Sequence, residues 1–67
     1  MWDETTPADE MLISAFLNGA KVRGRARAEL QESIAYYDER AAWDWNARSM
    51  ARIYRRALER LDAEEAL

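Results

Sequence analysis

Apolar residues recur every three or four positions along most of the chain, the spacing that places them on one face of an α-helix. Between residues 26 and 61 they form two stripes that do not line up. The first is Leu30, Ile34, Tyr37, Ala41 and Trp45; the second is Ala47, Met50, Tyr54, Ala57 and Leu61. Continued past Trp45, the first stripe lands on Arg48, Arg52, Arg55 and Glu59, all charged. The chain therefore either breaks near residues 44–47 or runs on as one helix that serves two different partners.

The segment before these stripes reads as a separate helix. Thr6 can cap free backbone amides, Pro7 suits the first helical position, and Asp9 and Glu10 favour the positive end of the helix dipole. Ala8, Met11, Leu12, Ile13, Ala15, Phe16, Leu17 and Ala20 fill a broad apolar arc, with Glu10, Ser14, Asn18 and Lys21 on the other side. Gly24 can adopt the left-handed conformation that closes a helix. Beyond it, residues 26–67 contain neither Gly nor Pro, which favours long helix. Asp44 or Asn46 can cap a new helix after a tight turn. At the far end Glu64 and Glu65 oppose the dipole, so the last turn is expected to fray. The expectation is one all-α domain over residues 1–67, either a small helical hairpin or a three-helix bundle. Its helices fall at about 7–22, 26–44 and 47–64, the last two continuous in the hairpin version.

Composition changes that picture in one respect. A chain of 67 residues buries only about 60% of its unfolded surface, so it is marginal alone. Small domains usually add disulfides, a metal or another copy. Without cysteine or histidine, neither a disulfide nor a zinc site of the usual type can form. Completion by homodimerisation is therefore expected.

The net charge of −3 conceals alternating blocks. Acids dominate the first 17 residues, bases residues 18–28, acids residues 29–45, and arginines residues 46–60. Such blocks suit helices that pack with complementary neighbours, within a chain or between chains. No basic leader or long apolar run is present, so a cytoplasmic location without membrane insertion is expected. Arginine outnumbers lysine nine to one, a hint of a GC-rich bacterial or bacteriophage genome.

Chemistry is sparse. The serines have no histidine base to activate them, adjacent carboxylates on a helix point apart, and no glycine-rich phosphate loop exists. No catalytic, cofactor or metal residues are expected, and the chain is not expected to be an enzyme. Binding is better supported. Tyr36 and Trp43, seven residues apart, would stack on one face of the second helix, amid charge, as interface anchors do. With Trp45 and the arginine face Arg48, Arg52, Arg55 and Arg56, they make the candidate partner-binding surface. The bland alternatives are a core or dimer seam for the aromatic residues and a solvated, acid-paired face for the arginines. The expected function is a small adaptor or inhibitor of a larger bacterial host protein, of the kind phages and plasmids encode. A small helical DNA-binding regulator using the same arginines is the alternative.

Overall fold

The computed structural model describes residues 6–67, which form three α-helices and no strand among the described residues. They are α1 (Pro7–Val22), α2 (Ala26–Arg40) and α3 (Trp45–Ala66). The protein is a small all-α three-helix bundle.

Local chemistry sets each boundary. Thr6 is extended, and its hydroxyl accepts a hydrogen bond from the Asp9 amide at 3.1 Å, with Pro7 at the first helical position. At the other end of α1, Gly24 takes a φ of +80°, a region side chains with a Cβ rarely enter. The Arg23 and Gly24 amides then donate to the Gly19 and Lys21 carbonyls, which would otherwise end the helix unpaired.

The α2–α3 turn works without glycine. Its first amides tighten: Ala41 donates to the Asp38 carbonyl, and Trp43 to the Arg40 carbonyl, at 3.2 Å each. Asp44 then extends (φ −121°, ψ 109°), and its carboxylate accepts from the Asn46 and Ala47 amides at 3.0 and 3.4 Å. A carboxylate that satisfies the free amides of a new helix competes directly with continuing the old one. The break thus spans residues 41–44: α2 ends at Arg40 and α3 begins at Trp45, so Trp45 is not the last member of an α2 stripe.

Ion pairs report the directions of the helices. Asp9, Glu10 and Lys21 of α1 meet Arg52, Arg60 and Glu64 of α3, in the same order along both helices. Against α2 the order reverses, with Arg27 on Asp62 and Asp38 on Arg55. The path is up, down, up, with α1 and α3 parallel and α2 antiparallel to both.

The core gathers Ile13, Leu17 and Ala20 from α1, Leu30 from α2, and Ile53, Ala57 and Leu61 from α3. Ile53 lies outside the stripe drawn from the sequence. The reason is that α3 packs against both other helices, and so buries a wider arc than a single stripe. Ala47 and Ala51 are buried nearer its start. The last turn of α3 runs to Ala66. Lys21 pairs with Glu64, and Arg27 with Asp62 and Glu65, so neighbouring cations offset the unfavourable dipole.

Candidate functional site

The residues singled out for binding separate into those the fold employs and those it leaves free. Arg52 donates to the Asp9 carboxylate at 3.0 Å. That hydrogen bond is the main reason the Asp9 carboxyl titrates below the usual range. Arg55 pairs with Asp38 of α2, and Arg60 reaches Glu10 at 2.9 Å and the Ser14 hydroxyl at 3.3 Å. Arg56 pairs with Glu59 one turn on, at 3.4 Å. Much of the arginine face is therefore tied to acids of the same chain. Arg48 is different: it is exposed and makes no ion pair with a described residue.

Tyr36 ends a ladder of rings that crosses all three helices. Phe16 of α1 stacks on Tyr54 of α3 with centroids 4.6 Å apart, and Tyr54 stacks on Tyr37 of α2 at 5.7 Å. Tyr36 meets Tyr37 edge-on at 4.9 Å. Arg40 then covers the Tyr36 ring, its guanidinium carbon 3.8 Å from the centroid, while donating to the Tyr36 carbonyl at 2.9 Å. Tyr36 is half-exposed but held on one side by a ring and on the other by a cation. Burial of Tyr54 within the ladder pushes its phenol above the usual tyrosine value. The sequence shows these aromatic residues but not their stacking, which needs three helices at once.

Trp43 and Trp45 are held by nothing comparable. Trp43 is 73% exposed and Trp45 79% exposed, and neither ring contacts another aromatic or a cation among the described residues. Trp43 lies in the turn and Tyr36 on α2, so they do not share a helix face, contrary to the expectation from their spacing. Trp43 and Trp45 instead bracket Asp44, whose carboxylate is engaged in capping α3. Arg48 follows Trp45 by three residues, on the same side of α3. The exposed surface of this turn thus presents two indoles and, one turn into α3, a guanidinium that makes no ion pair with a described residue, beside the smaller Ala42 and Asn46.

Two open depressions lie away from this surface, one beside Gly24 and Arg27, the other between Glu10 and Arg56. Among the described residues no cluster of carboxylates is arranged to hold a metal ion, and no helix is long and apolar enough to cross a membrane. Comparison with protein families, curated proteins and solved structures finds no match to this chain.

Proposed function

We propose that this protein is a non-catalytic protein-binding module: a cytoplasmic adaptor or inhibitor, of phage or plasmid type, that docks on a larger bacterial host protein. The observation that carries the reading is the pair of exposed tryptophans on the α2–α3 turn. Burying an indole in a partner releases much apolar surface from water, and Trp and Arg are the residue types most enriched at binding hot spots. The turn is fixed by the Asp44 cap, so little order must be gained on binding. Trp43, Trp45 and Arg48 form the centre of the contact, Tyr36 a pre-positioned flank, and Arg52, Arg55 and Arg56 its charged margin. Self-association belongs to the same reading, because a core with four alanines among its nine buried residues is a thin one.

A DNA-binding role would draw on the arginines of α3. Their engagement with Asp9, Asp38 and Glu10 weighs against it, since each phosphate contact would first have to break an internal pair.

The test is affinity capture from a bacterial lysate with the wild type, Trp43→Ala, Trp45→Ala and Arg48→Glu, each checked for unchanged helicity. A stoichiometric partner that is lost with either tryptophan and weakened by Arg48→Glu supports the reading. Capture indifferent to all three variants removes this surface, and firm retention on duplex DNA at physiological salt would favour the regulator instead.

A further inference from the structure

We propose that two copies of this chain dimerise by exchanging α3: α2 and α3 join through residues 41–44 into one helix, and two such helices pair antiparallel. The proposal gives a form to the self-association in the reading above and makes no use of the tryptophan surface.

The turn between α2 and α3 holds nothing that forbids helix. Residues 26–67 contain neither glycine nor proline, and the turn itself is Ala41, Ala42, Trp43 and Asp44. Alanine is the strongest helix former. The side chain that caps the new helix is Asp44, whose carboxylate accepts from the Asn46 and Ala47 amides. In a continuous helix those amides donate to the Ala42 and Trp43 carbonyls instead, and the carboxylate is released. A partner for it stands one turn on. Arg48 is exposed and makes no ion pair with a described residue. It follows Asp44 by four residues, acid first, which is the favourable order for a pair on a helix.

The contact between α2 and α3 also continues through the turn. Its register sets Arg27 on Asp62, Tyr37 on Tyr54 and Asp38 on Arg55. Advanced along both helices, that register brings Ala41 opposite Ala51 and Asp44 opposite Arg48. Tyr37, Ala41, Asp44, Arg48, Ala51 and Arg55 are spaced by alternate steps of four and three, the heptad spacing of helices wound about each other. One seam therefore links the side of α2 that faces α3 to the side of α3 that faces α2. Within a single chain the reversal at residues 41–44 interrupts it. Between two copies it runs unbroken, and the two-fold axis makes Asp44 of each copy oppose Arg48 of the other, with small alanines on either side.

A second copy is the occupant because it alone offers α3 the surface α3 already fits. In the exchanged dimer the pairs Asp9–Arg52, Glu10–Arg60, Lys21–Glu64 and Asp38–Arg55 re-form between copies. The core does the same, so exchange gives up no packing.

Sedimentation up to millimolar chain concentration should show the wild type forming a dimer. Arg48→Glu sets a second carboxylate against Asp44, both along the fused helix and across the axis. It should raise the dimer dissociation constant by at least about tenfold. The monomer should melt as before, because Arg48 makes no ion pair there with a described residue. Two glycines inserted after Ala42 lengthen an exposed turn but interrupt the fused helix, and should weaken the dimer at least as much. The exchange itself is read by energy transfer within one chain. The protein has no cysteine, so Ala28→Cys/Ala63→Cys, at two exposed positions, accepts a dye pair. In the closed bundle the dyes lie near each other across neighbouring helices; on one fused helix they are about 50 Å apart. Transfer in a trace of labelled chain should therefore fall as excess unlabelled chain drives the dimer. Transfer that stays high in the dimer overturns the exchange and leaves self-association standing. A dimer indifferent to both Arg48→Glu and the glycine insertion overturns the continuous seam. A wild type that stays monomeric throughout overturns exchange and self-association together, while the lysate capture still decides the tryptophan surface.

Discussion

The two ends of the bundle are built on different principles. At the end holding the α1–α2 turn, charge is dense and spoken for: Lys21, Arg23 and Arg27 all find carboxylates, on Glu64, Glu29, Asp62 and Glu65. At the end holding the α2–α3 turn, Trp43 and Trp45 stand exposed and Arg48 makes no ion pair with a described residue. Both turns are short and fixed, one by a left-handed glycine and one by a capping carboxylate. The difference lies in what the turn displays. A latched end spends its charges within the chain; an unlatched end keeps aromatic surface free for something else. That contrast directs the functional reading to the second turn.

The contrast breaks most plainly if stability and surface are confused. Leu30 is almost fully buried in the core beside the latched end. Leu30→Ala should cost about 2–5 kcal/mol and leave a chain this small largely unfolded. Trp45→Ala, an exposed position, should cost less than about 0.5 kcal/mol. Paired urea melts measure both. A large loss for Trp45→Ala would mean that its ring supports the fold rather than awaiting a partner.

The two turns should be matched in strength despite their different chemistry. Gly24→Ala forces a side chain into the left-handed region and should cost about 1–2 kcal/mol. Asp44→Ala removes the only side-chain cap on α3 and should cost about 1 kcal/mol. Thermal melts would show drops of about 4–8 °C per kcal/mol for a domain of this size. If Asp44→Ala instead raises helicity without loss of stability, α2 and α3 have fused through residues 41–44, and Asp44 is what keeps them apart.

How far each end can be read in advance follows from the range of the interactions that set it. Thr6, Pro7 and Gly24 act on neighbours within four residues, and their roles are legible in the order of the letters. Asp44 also acts locally, yet nothing in Ala41, Ala42 and Trp43 forbids helix, so where α2 ends is decided by competition rather than by a breaker. Ile53 was obscured because a single stripe presumes a single neighbour. The charge blocks indicate that α3 has acidic neighbours, but the partner of each arginine depends on helix order and direction. For the same reason Arg48 and Arg52 look alike in the sequence, and only the folded arrangement shows that Arg52 pairs with Asp9 while Arg48 makes no ion pair with a described residue. Trp45 continues the first stripe on paper; the turn carries it out of the core.

Acid should affect both ends, through different carboxylates. Asp9 near the unlatched end and Glu29 at the latched end are held below their usual pKa, first by hydrogen bonds from Arg52 and Arg23. A depressed folded-state value means that the stabilisation is complete above the unfolded value, about 4, and is lost as pH falls through the folded value. Alkali probes the ladder instead. The Tyr54 value is raised by burial, so its contribution is complete below about pH 10 and is lost as pH rises through the folded value. Melts followed from pH 7 to 2 should shift less at low pH for Arg23→Gln and Arg52→Gln than for wild type. An unchanged acid limb in both variants would detach these pairs from stability.

The smallest effect tests whether the latch is a latch. Arg27 bridges Asp62 at 2.6 Å and also contacts Glu65, yet its side chain stays 42% exposed. Exposed ion pairs seldom contribute more than about 1 kcal/mol, and salt screens them. Arg27→Gln should therefore lower stability by less than about 1 kcal/mol at low ionic strength, and the difference should shrink in about 1 M salt, where the screening length falls to about 3 Å. The last turn of α3 offers a more sensitive readout than the global melt. With Arg27 gone, Glu64 and Glu65 again oppose the helix dipole with only Lys21 to offset them, and amide exchange at residues 62–66 should quicken before global stability changes. If exchange there is unaltered while Trp43→Ala accelerates it, the assignment of one end to cohesion and the other to display is reversed.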